Sequence, residues 1–210
     1  MNHTSHKILN ETTSYIKNLW AKKIVLLIIK HIELPWDWER ISSHRSITTH
    51  VIDEHIDLPW DWTLGVSKNP NVTMDFVEKN IDKTWDYECL SCNWNLTMEF
   101  VEKNIDKPWD WNQISCNKNI TMCFVEKYID KPWDWDALSS NSALTFEFIE
   151  LHPDIKWEWY KISYNPMLSS EVFERHRHER WDYNRIANSI FNNRCTLTTN
   201  FIIRHPNLPW

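Results

Sequence analysis

The sequence predicts an all-α fold, an α-solenoid of tandem short helix-turn-helix repeats of about 24 residues with a tryptophan-rich core. Three observations predict it. Tryptophan recurs at a nearly constant period, helix-start signals recur in the same register, and the 210 residues include a single glycine, Gly65. So little glycine disfavours a hairpin-rich β fold, whose tight turns need residues without a Cβ atom. It also argues against glycine-rich phosphate loops and nucleophile elbows.

The repeat period is set by the first tryptophan of each repeat, which stands at positions 36, 60, 85, 109, 133, 157, 181 and 210. Five of the intervals are 24 residues, one of 25 falls near Gly65, and the last is 29. Residues 1–35 are predicted to form a polar tail and a longer capping helix. Residues 36–210 are predicted to form one elongated repeat array.

Each repeat is predicted to contain two short helices. The first should begin at the proline of "PWDW", because the first helical position needs no N–H donor. The acid that follows, such as Asp110, then lies in the first turn, where the helix dipole favours negative charge. An asparagine such as Asn117 should end this helix in the left-handed conformation. A threonine such as Thr121 should cap the start of the second helix.

The two tryptophans of a "WDW" step would point about 200° apart on a helix. One ring can then pack within its own repeat and the other against the neighbouring repeat, so that stacked repeats bury a continuous core. The predicted structural core consists of Trp36, Trp38, Trp60, Trp62, Trp85, Trp109, Trp111, Trp133, Trp135, Trp157, Trp159 and Trp181.

The pattern "PWDW–(I/L)S–N–(I/L/V)T–F(V/I)E–DKP" covers roughly residues 27–210. It resembles the tandem PWDW-type repeats in predicted proteins of giant DNA viruses of amoebae. The resemblance implies a viral repeat protein that acts in the host cytoplasm or in the virion, and it carries over no catalytic residues. The chain departs from the pattern at Thr84, Lys156 and Arg180, which replace the proline, and at Tyr87 and Tyr183, which replace the second tryptophan.

No enzyme class is predicted, and no cofactor. The acid of the "WDW" step recurs in consecutive repeats, which fits a helix start better than one catalytic constellation. Cys89-x-x-Cys92 with Cys116 could begin a zinc site, but a second CxxC or a CxxH is missing. His176-x-His178 could bind a metal only in a strand or a loop, since residues i and i+2 diverge on a helix. No metal site is therefore predicted.

The location predicted from the sequence is cytoplasmic. The odd number of cysteines, five, favours reduced thiols in a cytosol-like compartment. The longest apolar run, residues 24–29, is too short to span a bilayer, so we expect neither secretion nor a membrane partner.

Positions that vary between repeats are the candidate partner-binding residues, because repeat scaffolds read partners through such positions on one surface. The residues after "WDW" differ from copy to copy, and Trp94 stands outside the tryptophan period. This set is Trp94, Asn112, Gln113, Tyr160 and Lys161. The leading hypothesis is a non-enzymatic scaffold that binds a protein partner. The same positions can also be unconstrained surface sites.

An alternative hypothesis rests on arginines near the end of the sequence. Residues 172–210 contain six arginines and three acidic residues on a chain of net charge −6. Arg175, Arg177 and Arg180 could bind RNA or phosphate, or could form a solvated face. Self-association through incomplete terminal repeats is a further alternative, and the sequence leaves the oligomeric state open.

Overall fold

The computed structural model describes the backbone of residues 3–210 and the side chains of residues 15, 16 and 19–210. Within this part of the chain the regular elements are helical and no strand is present. The prediction of an all-α, tryptophan-rich fold is therefore confirmed. The chain divides into two compact halves, an N-terminal half of residues 1–109 and a C-terminal half of residues 110–210.

The N-terminal half starts with one long helix, and short helices follow. The elements are α1 (His3–Lys30), α2 (Trp38–Ser43), α3 (Thr49–Glu54), a 3-10 turn (Val66–Lys68), α4 (Met74–Lys79), α5 (Tyr87–Ser91) and α6 (Met98–Lys103).

The C-terminal half repeats the short helices in pairs. They are α7 (Trp111–Cys116), α8 (Met122–Lys127), α9 (Trp135–Ser140), α10 (Phe146–Leu151), α11 (Trp159–Ile162), α12 (Ser170–Arg175), α13 (Tyr183–Phe191) and α14 (Thr199–Arg204).

Helix α1 packs against α3 through one apolar face. Ala21, Val25 and Ile28 of this face are buried. An ion pair adds to the contact, with Lys22 Nζ 2.8 Å from Glu54 Oε1. The helix begins at His3, whereas the sequence predicts the capping helix within residues 12–35. The side chains of residues 1–14, where the polar tail was predicted, lie outside the described residues.

The first helix of a repeat does not begin at the proline, so that prediction is wrong. The helix begins at the second tryptophan, as at Trp111, and the preceding acid is the N-cap residue. Asp110 accepts hydrogen bonds from the backbone N–H groups of Asn112 and Gln113. The acid takes the N-cap position and not a position inside the first turn, because from an extended backbone its carboxylate can accept an N–H that has no partner inside the helix. The proline and the first tryptophan lie in the extended segment before the helix.

The asparagine that ends the first helix is not left-handed, which corrects a second prediction. Asn141 has φ −76° and ψ 132°, an extended conformation. Its buried amide nitrogen lies 3.0 Å from the carbonyl oxygens of both Ser115 and Asn117, which belong to the preceding repeat. Among residues 3–210 the one non-glycine residue at positive φ is Asn193. The asparagine is thus a link between repeats, and its buried amide nitrogen is satisfied by carbonyls of the preceding repeat.

The predicted caps of the second helices are confirmed. Each second helix in the described part of the chain has a threonine or serine at its N-cap, and most of these side chains accept a backbone N–H. The exception is Thr198, whose side chain makes no capping bond. One such cap contributes about 1 kcal/mol.

At five places a buried serine connects the first element of one repeat to the next repeat, whereas the buried Ser189 of α13 has no partner for its hydroxyl. In the C-terminal half Ser115 Oγ accepts the backbone N–H of Asp134 at 3.0 Å, and Ser163 Oγ accepts that of Asp182 at 2.9 Å. The same bond joins Ser139 to Glu158. The N-terminal half has it at Ser42–Asp61 and Ser67–Asp86. The serine hydroxyl therefore holds the N-cap residue of the following repeat in place.

The first tryptophan of each repeat is fixed by a hydrogen bond and by ring contacts. Its indole N–H donates to the carbonyl five residues earlier, at 2.8 Å for Trp109 to Asn104 and for Trp133 to Tyr128. This carbonyl belongs to the residue that ends the preceding second helix. The second tryptophan of one repeat meets the first tryptophan of the next edge to face, as in Trp111–Trp133 with ring centroids 4.9 Å apart. Such pairs contribute about 0.5–1.5 kcal/mol beyond area burial.

Candidate functional site

The first helices of the C-terminal half form the candidate functional surface. Helices α7 and α9 pack side by side, and so do α9 and α11. Their repeated residues face inward, with Ile114, Leu138 and Ile162 fully buried. The residues that vary between repeats face outward. Asn112 and Gln113 of α7, Asp136 of α9 and Tyr160 of α11 are exposed, and Lys161 is half-buried.

An aromatic–arginine cluster lies at one part of this surface. The Arg185 guanidinium carbon is 4.4 Å from the ring centroid of Tyr160 and 4.9 Å from that of Tyr164. The Asp182 carboxylate holds the arginine, with Arg185 Nε 2.9 Å from Asp182 Oδ2. Tyr160 and Tyr164 keep about half of their surface exposed, at 50% and 42%, and Met167, three residues after Tyr164, is also exposed. We name Tyr160, Tyr164 and Arg185 the tyrosine–arginine cluster.

The cluster has the chemistry of a protein-binding hot spot. Tyrosine and arginine are enriched at such sites because they offer a large contact area together with polar groups. The Asp182 contact and the two rings hold the Arg185 side chain before any partner arrives. Preorganisation of this kind lowers the entropy cost of binding.

A shallow groove lies beside the cluster along α7, α9 and α11. Its volume is about 560 Å³. Polar residues line it, among them Lys118, Asp136, Ser140 and Lys161. Two of the lining residues, Lys161 of α11 and Asp136 of α9, form an ion pair at 2.5 Å that connects the two helices. The lining therefore contains both signs of charge, and these two groups are paired with each other.

One of the three arginines of the RNA-binding hypothesis already forms ion pairs within the protein. Arg175 forms ion pairs with Glu150 and Glu171. Arg177 and Arg180 are exposed. His178 lies close to Glu179, with Nε2 3.2 Å from Oε1. Carboxylates therefore offset part of the positive charge that a phosphate backbone would need.

Trp94 lies on the N-terminal half and is strongly exposed, at 73%. It follows α5, in the segment that leads to α6. An exposed tryptophan is a typical binding anchor, since its ring buries much apolar area on contact. Within the N-terminal half it is a second candidate position, separate from the tyrosine–arginine cluster.

The cysteines are free thiols. Burial, with the Asp86 carboxylate beside it, raises the pKa of the Cys89 thiol to about 11. Burial also raises the pKa of the Cys116 thiol. Within the described residues no three His, Cys, Asp or Glu side chains come together as metal ligands.

Sequence reasoning found part of this surface and missed part of it. Tyr160 and Lys161 are sequence candidates that the structure places on the surface, Tyr160 as a member of the cluster and Lys161 in the lining of the groove. Tyr164 carries no signal in the repeat pattern, because it follows the repeated serine position as one more varied residue. Its role depends on the i, i+4 spacing from Tyr160, which puts both rings on the same side of a helical turn.

No protein-family model, no curated protein and no solved structure matches the chain. In the described part of the chain, no helix combines the length and the apolar character needed to cross a bilayer.

Proposed function

We propose that the protein is a non-enzymatic scaffold that binds a protein partner. In this proposal the helix pairs stack as an α-solenoid, and the positions that vary between repeats recognise the partner. The partner belongs to a host cell or a virion, as the resemblance to viral PWDW-type repeats implies. The cytoplasmic location and the viral origin stay predictions of the sequence.

The division of labour between residues carries this proposal. The repeated tryptophans, serines and asparagines are occupied by contacts within and between repeats, such as Ser139 with Glu158 and Asn165 with Leu144. The varied residues next to them in sequence are left exposed on adjacent first helices. The tyrosine–arginine cluster concentrates the residue types that dominate protein interfaces at one point of that surface.

An affinity enrichment with quantitative mass spectrometry tests the proposal. The full chain is compared with Tyr160→Ala/Arg185→Ala and with Leu151→Ala, an exposed residue of α10. We expect the same partner to be enriched by the full chain and by Leu151→Ala, and lost from the double variant. Equal enrichment by all three proteins would contradict the proposed site.

The RNA-binding alternative has a different signature. Binding to RNA would weaken steeply as salt rises and would be lost when Arg175, Arg177 and Arg180 become Ala. The ion pairs of Arg175 with Glu150 and Glu171 favour the protein partner over this alternative. A gel-shift assay at two salt concentrations separates the two. Self-association stays a prediction, and light scattering over a range of concentrations tests it.

A further inference from the structure

Helix α1 is apolar on two opposite sides, and the fold covers one of them. Ala21, Val25 and Ile28 are buried on the inward side. On the outward side Trp20 and Leu26 are 62% and 59% exposed. An ordinary surface helix carries polar residues on its outer face, and a helix that is apolar all round is normally covered all round. The outer face of α1 therefore has the composition of an interface.

The exposed residues of this face repeat every seven positions. Ile16, Lys23 and Lys30 form one row, Leu19 and Leu26 a second, and Trp20 and Leu27 a third. At about 3.6 residues per turn these rows fall within roughly a third of the helix circumference. A seven-residue period is the spacing at which one helix packs along another. We name this set of seven residues the α1 seam.

Charge selects the kind of helix that fits the α1 seam. Lys23 and Lys30 lie in its central row and are exposed, about 10.5 Å apart along the axis. Lys22 points elsewhere, to Glu54. Residues 3–30 contain five lysines and a single acidic residue, Glu11. A helix that covers the seam must bring carboxylates to the two central lysines, because a buried ammonium group needs a partner.

Two other occupants fit less well. A second copy of α1 would place its own lysines in the same seam, where like charges repel. A flat anionic bilayer would also meet the rest of the N-terminal half, whose residues 31–109 include fifteen acidic and seven basic residues. A single helix can contact the seam alone.

We propose that the α1 seam is a docking site for an acidic amphipathic helix of a partner protein. The partner helix carries apolar residues that pack on Leu19, Leu26 and Leu27, and carboxylates seven residues apart that pair with Lys23 and Lys30. This site is additional to the tyrosine–arginine cluster and does not depend on it.

Fluorescence anisotropy with two designed peptides tests this site on the full chain. Both labelled peptides have three heptads with leucine at the packing positions. One carries glutamate at the positions that face the lysines, and the other carries lysine there. Lys23→Glu/Lys30→Glu reverses the seam charge, and Lys68→Glu/Lys156→Glu is the matched control, with the same net change at two exposed lysines elsewhere. Circular dichroism checks that each variant is helical.

We expect the full chain and the control to bind the glutamate peptide in preference to the lysine peptide. Lys23→Glu/Lys30→Glu should bind the glutamate peptide at least tenfold more weakly, and it should bind the lysine peptide more tightly than the full chain does. Leu26→Ala/Leu27→Ala, which keeps the charges, should also lower the affinity for the glutamate peptide at least tenfold. Because this variant removes only exposed side chains, it tests the seam even where charge reversal disturbs the fold.

Several results would overturn the assignment. They are binding of neither peptide, equal binding of both, or an equal loss in the seam variant and the control. Sedimentation equilibrium and co-sedimentation with phosphatidylcholine–phosphatidylserine vesicles complete the test. A dimer that Leu26→Ala/Leu27→Ala abolishes, or vesicle binding that the same variant abolishes, would replace the acidic helix by a second copy or by a lipid surface.

Discussion

The buried serine that connects successive repeats supports the sharpest stability prediction, because the chain offers a matched pair of neighbours. Ser139 and Ser140 are adjacent at the end of α9, but Ser139 is buried and Ser140 is exposed. Ser139 Oγ accepts the backbone N–H of Glu158 at 3.1 Å and donates to the carbonyl of Trp135 at 2.8 Å. We predict that Ser139→Ala destabilises the protein and that Ser140→Ala does not.

The magnitude follows from the partner that each substitution leaves behind. The Trp135 carbonyl keeps its ordinary helical N–H donor, so the loss of the serine hydroxyl costs little free energy there. The Glu158 N–H loses its acceptor, and a buried donor without a partner costs about 1–3 kcal/mol. Because the rest of Glu158 is exposed, water can reach part of this site, so we expect about 1–2 kcal/mol from the lower end of that range. Ser140→Ala should change stability by less than about 0.5 kcal/mol, since alanine favours a helix.

Urea unfolding followed by tryptophan fluorescence and circular dichroism measures both variants. With a slope of about 2 kcal/mol/M, Ser139→Ala should lower the midpoint by roughly 0.5–1 M. Ser140→Ala should leave the midpoint unchanged or raise it slightly. Coincident midpoints for the two variants would refute the proposed link between repeats.

Three further predictions concern two single substitutions and the alkylation rate of one cysteine. Trp109→Ala removes a ring that is 6% exposed and should lower the free energy of unfolding by about 3–5 kcal/mol, whereas an unchanged free energy of unfolding would mean that the repeated tryptophans are not structural. Gly65→Ala would place a Cβ atom 2.5 Å from Ser42 Cβ and 2.7 Å from the Asp61 carbonyl, so it should cost about 1–3 kcal/mol, and a neutral thermal melt would contradict that packing. Alkylation of Cys89 should accelerate about tenfold per pH unit from pH 8 to 10, because a thiol pKa of about 11 keeps the thiolate scarce until then. A rate that levels off above pH 9, as for an ordinary thiol of pKa about 8.5, would show that the thiol is not perturbed.

The fold class was predictable because its signals are local. A threonine such as Thr121 before an apolar run predicts a helix start whatever surrounds it, and the structure has that start. The pairing of rings was predictable from the spacing of the tryptophans, and the edge-to-face pair of Trp135 with Trp157, centroids 5.7 Å apart, is one example.

The errors concern residues whose partners lie in another repeat. The sequence predicts a left-handed conformation for Asn141, as for Asn117, because asparagine tolerates that conformation in isolation. In the folded chain its amide can reach two carbonyls of the preceding repeat, and those bonds need an extended backbone. Ser139 recurs in the sequence pattern, but its acceptor role depends on the N–H of Glu158, nineteen residues later. Local pattern reasoning cannot find such a bond.

The candidate surface was predictable only as a set of positions. Variation between repeats identifies Tyr160 as a position that the repeat pattern does not fix, but it does not show that the Arg185 side chain reaches the Tyr160 ring. That contact depends on where the fold places Arg185 of α13 relative to Tyr160 of α11. The α1 seam also needed the structure, because the sequence does not reveal which of the two apolar sides of this helix the fold covers.

Two adjacent aromatic residues of α11 test the central claim, that repeated residues build the fold and varied residues are free to bind. Trp159 belongs to the repeat, with its ring centroid 5.0 Å from that of Trp181, whereas Tyr160 varies and is half exposed. The measurement is the free energy of unfolding of Trp159→Ala and of Tyr160→Ala in urea. We expect a loss of about 2–4 kcal/mol for the tryptophan, and of less than about 1 kcal/mol for the tyrosine, which gives up one exposed cation–π contact. A tyrosine variant as unstable as the tryptophan variant, or a tryptophan variant as stable as the parent, would contradict that claim.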